Sequence, residues 1–401
     1  MEKLRDREFD FSSKLRQEST IERLREYILW RRNSTNQRPP DFGPLSINLD
    51  LTSACNFSCP HCVDSTIINT GEYLRLGDVK RTIDVLHSHG LLSVILLGGG
   101  EPTLHRDFEE IVRSIKGKGL QLGIVTNGSR MDKVANVTRL LGKKDWVRVS
   151  IDAAREDTFN RLHRPRNHVT LNHLLQTAKG IKEVNPSVSL GYSFVIVWEG
   201  MEIRGSPLCH NTDEIPEAMN LAKDYLFDYV SFKPCLIRLE DSQREALLDK
   251  VDKGREERIV QEIGIHLEKA RRLVDGKTKI LESVNLRAMM NREAHQIKRQ
   301  PKRCHLQFFR TVVTPSGIFH CPAFRGVEKA KIAGSDGYVT KGKFDESLEA
   351  VARSISTFDA HEECKVVGCF YHHVNWWLEN FTNSDRDIAE IEKVGDDNFF
   401  L

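Results

Sequence analysis

The sequence predicts an α/β protein built around a parallel sheet, and two observations predict it. Between residues 45 and 235, six short apolar runs of strand type alternate with stretches of helical periodicity. The residues able to do chemistry fall just after those strands: three cysteines after the first, three glycines after the second, Thr126-Asn127-Gly128 after the third and Asp152 after the fourth. Strands joined by helical crossovers run parallel. Such a sheet is either doubly wound or closed into a full or partial barrel, and in both cases ligands gather at the carboxyl ends of the strands.

Taken in order, residues 1–44 are charged and helix-prone, with Leu24, Tyr27, Ile28 and Trp30 as apolar points and Arg38-Pro39-Pro40 as a stop. Strands are expected over 45–51, 93–97, 120–125, 146–151, 188–196 and 229–232. Helices are expected over 76–88, 108–118, 133–141, 173–183 and 215–226. Together these fill a core domain of residues 45–239. Residues 240–300 are charged and helical with almost no strand signal, and read as an insertion, linker or lid. In the final segment, 301–401, residues 308–314 and 318–320 flank Pro315-Ser316-Gly317 as a β-hairpin, with Cys304 and Cys321 at its two ends. The tail Asn398-Phe399-Phe400-Leu401 is apolar and is expected to dock.

Bulk composition narrows the function. No run of about 18 apolar residues exists, so no membrane span is expected. The first residues mix charges and lack the apolar centre of a signal peptide, which makes the cytoplasm the expected address. With 59 basic and 57 acidic residues, the chain has no charge excess that would call for nucleic acid as a partner.

The nine cysteines are the unusual feature. In a cytoplasmic chain, clustered cysteines read as metal ligands rather than disulfides. Cys55, Cys59 and Cys62 lie within eight residues, close enough to wrap one corner of a cubane. Iron–sulfur clusters are normally held by four thiolates, so a trio leaves one iron open to a small molecule. The competing reading is half of a zinc site, which usually shows paired Cys-x-x-Cys or Cys/His units.

Cys-x3-Cys-x2-Cys directly after a first strand resembles the signature of the radical S-adenosylmethionine (SAM) superfamily. The resemblance implies a partial (β/α)6 TIM-type barrel carrying a helical insertion and a small C-terminal hairpin and helix domain. It implies a [4Fe-4S] cluster on Cys55, Cys59 and Cys62 whose open iron chelates SAM. Reductive cleavage of SAM then releases a 5′-deoxyadenosyl radical. A low-potential donor such as flavodoxin or ferredoxin is the implied partner. Gly98-Gly99-Gly100-Glu101-Pro102 resembles the Gly-Gly-Glu-Pro element of the family, which places Gly99, Gly100, Glu101 and Pro102 along the SAM site. Asn127, Ser150 and Asp152 match softer motifs of the family after strands three and four, which implies that they help bind SAM, with the Ser150 hydroxyl and the Asp152 carboxylate near its ribose. Arg164 stands where relatives often carry an arginine facing the SAM carboxylate, with Arg161 and Arg166 competing for the role. His61 departs from the aromatic residue usual before the third cysteine.

Cys304, Cys321, Cys364 and Cys369 resemble the auxiliary-cluster extensions called Twitch and SPASM domains. SPASM domains carry seven cysteines for two clusters. Four cysteines suit the shorter Twitch type and a second, fully ligated [4Fe-4S] cluster. One ligand could be a histidine, with His305, His320, His361, His372 and His373 close in sequence. A structural zinc site and unligated buried cysteines are the alternatives. Cys235, at the end of strand six, is a candidate hydrogen donor to a substrate radical, or simply a small buried residue. Lys233 and Arg238 on the same rim are candidate anion binders. A fully ligated second cluster favours electron transfer, and hence oxidation of a small molecule such as an alcohol or sugar. A peptide or protein substrate, an epimerisation using Cys235 and a non-catalytic metal scaffold are the other readings.

Overall fold

Parallel strands covered on both faces should be apolar nearly throughout, with the polar exceptions pointing into the sheet's concave side. The first strand, β1 (Ser46–Asp50), shows this pattern. All five residues are buried; Ile47 and Leu49 share one face, and Ser46, Asn48 and Asp50 the other. The computed structural model describes residues 11–33, 38–166, 169–240, 245–247 and 253–396. The apolar tail expected to dock lies outside them, as do the first ten residues on which the leader reading rested.

Five further strands follow as expected: β2 (Ser93–Leu97), β3 (Gln121–Thr126), β4 (Trp146–Ser150), β5 (Ser189–Ile196) and β6 (Tyr229–Pro234). They pair in chain order, all parallel. The crossovers are amphipathic helices. Phe108–Gly117, for example, buries Phe108, Ile111, Val112 and Ile115, the spacing of a single helical face. The chain is thus an α/β protein with a partial barrel.

The sheet runs further than the sequence suggests. Within the segment read as a helical insertion, the helix Lys253–Arg271 leads to a strand, β7 (Lys279–Glu282), that joins the sheet parallel to β6. The sequence Lys-Ile-Leu-Glu hides it, because only Leu281 of the four is fully buried. At the opposite edge β8 (Arg310–Thr314), first strand of the C-terminal hairpin, pairs in parallel with β1, Ser46 opposite Arg310. Strands β9 (Gly317–Phe319) and β10 (Lys331–Ala333) continue antiparallel beyond it. The order is β7-β6-β5-β4-β3-β2-β1-β8-β9-β10, so the C-terminal cysteine region grows directly out of the barrel sheet. Phe308 and Phe309, expected in the hairpin, instead form a short helical turn, Leu306–Phe309.

The N-terminal helix α1 (Ile21–Arg32) packs on the C-terminal region. Its Tyr27 ring meets Phe308 and Phe309 at centroid distances of 4.9 and 4.8 Å. The Tyr27 hydroxyl lies 2.7 Å from His305 Nδ1, while His305 Nε2 is 2.8 Å from Glu379 Oε2. Nε2 therefore carries the proton, and Nδ1 accepts from the tyrosine. Among the described residues no helix is long and apolar enough to cross a membrane.

Tyr27→Phe keeps the ring packing and strips His305 of its donor. It should cost about 1–3 kcal/mol, the penalty of an orphaned buried acceptor. A denaturant-unfolding midpoint shared with the wild type would show that α1 docks without this bond.

Candidate active site

The loop after β1 carries the cysteine trio and is tied down by its own backbone. Asn69 N donates to Ser53 O at 2.6 Å and Ser53 N to Glu72 O at 2.9 Å. The Asn69 side-chain oxygen takes the Cys55 amide at 2.8 Å. Phe57, 1% exposed, plugs the loop against Phe159 and His163. Cys55, Cys59 and Cys62 are all partly buried. Desolvation raises the Cys55 thiol to about 11 and pushes Cys62 up as well, with Glu101 and Cys59 adding to the first and Asp64, Cys59 and Cys55 to the second. Cys55 and Cys62 thus resist ionising without a metal. Among the described residues, no three His, Cys, Asp or Glu side chains are grouped to hold one metal ion. A four-iron core, which spreads its thiolates over separate irons, suits the trio better than a single zinc.

The glycine loop after β2 lies directly on this one. A Cβ on Gly100 would stand 2.4 Å from the carbonyl oxygens of both Ala54 and Thr52, so only glycine fits. Next to it, Glu101 N donates to Ala54 O at 2.8 Å. The Glu101 carboxylate is turned into the protein. It accepts from Thr103 N (3.0 Å), Thr103 Oγ1 (2.6 Å), Thr126 Oγ1 (2.7 Å) and Asn127 N (2.7 Å), binding the β2 loop to the end of β3. Burial still raises its pKa, with those hydrogen bonds opposing. Glu101 is thus placed to shape the loop. Pro102 opens the short turn that follows. Asn127 reaches the cysteine loop directly, through Nδ2 to Asn56 Oδ1 at 3.0 Å and to Cys55 Sγ at 4.0 Å.

After β4, Asp152 holds a left-handed backbone (φ 54°) and is 3% exposed. Its Oδ1 accepts from Val195 N at 2.7 Å, and its Oδ2 lies 3.2 Å from His61 Nε2 and 3.3 Å from His163 Nε2. Burial alone would raise this carboxyl, but the two imidazoles outweigh it and hold it well below the usual range. Asp152 is therefore engaged inside the protein, pinning His61 of the cysteine loop. His163, which belongs to no sequence motif, joins them. Its Nδ1 lies 3.3 Å from Cys59 Sγ. Burial works against a charged His163, yet Cys59 and Asp152 push it up to about 10. The one sequence signal for it was its place at the helix end just before the arginines. Of those three, Arg164 is an exposed helix cap, and Arg161 pairs with Asp157. Arg166 meets the loop, donating to Asn56 O from its amide (3.2 Å) and to Ser58 Oγ from Nη2 (3.4 Å). Ser150 ends β4 half-buried, opposite Ser193 of β5.

Buried charges meet between the barrel mouth and the C-terminal region. Arg325 pairs with Asp50 (2.7 Å) and Asp64 (2.8 Å), and Arg238 with Asp64 (3.2 Å) and Glu245 (3.7 Å). Asp50 also takes the Gly99 amide at 3.3 Å. Three carboxylates thus face two guanidiniums. Burial, reinforced by Asp64, raises Asp50 and Glu245 to about 7 each, against the pull of the arginines. Arg238, a candidate anion binder, is committed to these carboxylates, and Lys233 is half-buried on β6. Cys235 is 1% exposed just past β6, its thiol pushed up by burial and by the Asp152 charge.

The four C-terminal cysteines, 304, 321, 364 and 369, line one cavity. Burial raises Cys304 and Cys369 and takes Cys321 to about 12, and Cys369 also feels the charges of Cys321 and Cys304. Asn375 Nδ2 lies 3.6 Å from Cys304 Sγ. A set of four thiols around one cavity suits a fully ligated iron–sulfur core.

Comparison with known proteins agrees with the N-terminal part of this site. Residues 49–200 match the Radical SAM superfamily. An S-adenosylmethionine-dependent nucleotide dehydratase of Selenomonas ruminantium is 33% identical over 157 residues, 37% of this chain and 56% of that one. A probable GTP 3′,8-cyclase of Thermoplasma volcanium is 30% identical over 185 residues, 45% of this chain and 51% of that one. The chain spans about half the length of these curated relatives. In fold, it resembles Streptococcus suis SuiB with a TM-score of 0.56 at 16% identity, over 88% of this chain and 78% of that one. It also resembles anSMEcpe with bound AdoMet, with a TM-score of 0.51 at 14% identity, over 85% and 99%.

Two outcomes follow from the geometry. Gly100→Ala forces two carbonyls aside, so stability should fall by about 1–3 kcal/mol. Iron bound by Cys55, Cys59 and Cys62 should fall with it, and a variant with full iron would refute the loop contact. Glu245 titrates higher folded than unfolded, so the folded state holds the extra proton. Its contribution is present below about pH 4.5 and is lost as pH rises toward 7. Over that window Glu245→Gln should lose less stability than the wild type in denaturant midpoints, and parallel curves would contradict the shift.

Proposed function

Residues 49–200 form a radical SAM domain, and on that premise we propose an enzyme that cleaves SAM reductively and oxidises a small molecule. The observation that carries the proposal is the contact between the two loops. Gly100 lies against the loop that presents Cys55, Cys59 and Cys62, so the glycine backbone would stand beside a ligand bound at a cluster on those cysteines. When loaded, the first site supplies the electron that opens SAM to a 5′-deoxyadenosyl radical, and the second takes the electron a substrate radical must lose to become a closed-shell product.

The protein's own part is position and exclusion. Cys55, Cys59 and Cys62 would hold the first cluster, and Cys304, Cys321, Cys364 and Cys369 the second. Gly98 to Gly100 present backbone groups to the methionine end of SAM. Asp152, His61 and His163 fix the cysteine loop from behind, and Arg166 holds its outer edge. The C-terminal region, continuous with β1 through β8, closes one side of the mouth against water.

The charge balance at the mouth bears on the substrate class. The two curated relatives are named for reactions on nucleotides. Arg325 and Arg238 are committed to the buried carboxylates of Asp50, Asp64 and Glu245, which leaves neither guanidinium for a triphosphate. A neutral alcohol, a sugar or an amine suits that balance better, with a flavodoxin- or ferredoxin-type donor supplying electrons. Cys235 carries a second reading, since its buried thiol senses the Asp152 charge. An epimerase would use such a thiol to return a hydrogen atom.

The test is anaerobic turnover of SAM with a chemical reductant, read as 5′-deoxyadenosine. The wild type should form it, and the Cys55→Ala/Cys59→Ala/Cys62→Ala variant should fall to background. Cys321→Ala/Cys369→Ala should keep SAM cleavage while losing oxidised product. A triple variant that still cleaves SAM would sink the assignment. Loss of product in Cys235→Ser, with product retained in Cys321→Ala/Cys369→Ala, would replace oxidation by epimerisation.

A further inference from the structure

The cavity lined by Cys304, Cys321, Cys364 and Cys369 has hydrogen-bond donors without acceptors. His320, 4% exposed, lines it, and neither of its ring nitrogens meets a partner in another residue. Gln307, 1% exposed, lines it too; its side-chain oxygen takes the Ser354 hydroxyl at 2.7 Å, but its Nε2 has no partner. Buried polar groups are almost always paired, so two orphans on one wall imply a missing acceptor.

The neighbouring histidines are spoken for. His305 is bonded through both nitrogens, to Tyr27 and Glu379. His361 Nδ1 meets Gln300 O, and His372 Nδ1 meets Gln300 Nε2. His320 is held differently. Its backbone amide donates to Ala330 O at 3.1 Å, and its ring sits against Phe358 and Phe324 at centroid distances of 4.4 and 5.8 Å. Two phenyl rings fix the imidazole and offer it no acceptor.

We propose that His320, seconded by Gln307, donates a hydrogen bond to the sulfur of an iron–sulfur cluster held by Cys304, Cys321, Cys364 and Cys369, and so raises its reduction potential. The proposal rests on the reading that those cysteines hold such a cluster. Sulfide and thiolate are acceptors without protons of their own, which is what the two orphan donors lack. Hydrogen bonds to the sulfurs favour the more negative, reduced state and move the potential upward. A higher potential would make this cluster a better acceptor for the electron a substrate radical gives up. His320 is thus a positioning and tuning residue, with the four cysteines as ligands.

The experiment starts from full-length protein carrying Cys55→Ala, Cys59→Ala and Cys62→Ala, reconstituted so that only the C-terminal site can load. Iron analysis comes first. A parent without iron overturns the cluster reading before His320 is touched. With iron present, His320→Phe and His320→Gln are added singly, and each is titrated by electron paramagnetic resonance against solution potential. His320→Phe should keep its iron and lower the reduced-to-oxidised ratio at fixed poise on the order of tenfold, about 59 mV for a one-electron couple. His320→Gln, which keeps an N–H, should recover most of that ratio. Fully loaded His320→Phe with the parental midpoint overturns the proposal. So does loss of one iron in both variants, which would make His320 a ligand.

Discussion

Everything in this chain hangs on the close approach of two loops at the carboxyl ends of β1 and β2. Gly100 has no side chain because the carbonyls of Thr52 and Ala54 occupy the space a Cβ would need. The Glu101 amide closes the contact, and the Glu101 carboxylate passes it on to Thr126 and Asn127 at the end of β3. Asn127 then returns to the cysteine loop through Asn56. Three strand ends are thereby locked into one frame before any ligand arrives. Such preorganisation is what a site for a reactive radical needs, because positions must be set in advance rather than found during reaction.

A second layer holds the frame from behind. His61, Asp152 and His163 bridge the cysteine loop to the ends of β4 and of the helix after it, with His163 close to the Cys59 sulfur. Asp50, Asp64 and Arg325 link the same loops to the C-terminal hairpin, since Arg325 follows Cys321 by four residues. The two cysteine sites are therefore parts of one sheet joined by buried charge. Buried ion pairs of this kind add little net stability, but removing one member strands the others. Their effect here is to fix how the two sites sit relative to each other.

The sequence made local features legible and distant ones not. The cysteine trio, the glycine loop and β1 to β6 were readable because each signal lies within about a dozen residues. The parallel pairing of β8 with β1 joins residues more than two hundred positions apart, and no local pattern announces it. β7 was hidden because its charged ends made it look like the helices around it. Glu101 and Asp152 were expected to face the ligand. The fold turns both carboxylates inward, because neighbouring backbone amides, hydroxyls and imidazoles were there to take them. His163 was masked by three flanking arginines, whose charges drew attention to the wrong residues. Docking of Tyr27 against the C-terminal region was likewise beyond a local reading.

The proposed chemistry needs one chain to hold two iron–sulfur clusters, the first on three cysteines and the second on four. Anomalous diffraction from anaerobically grown crystals, collected on either side of the iron and zinc absorption edges, tests it most directly. Two iron peaks and no zinc are expected: one beside Cys55, Cys59 and Cys62, the other inside the cavity of Cys304, Cys321, Cys364 and Cys369. A zinc peak in that cavity, or a single iron peak, would contradict it.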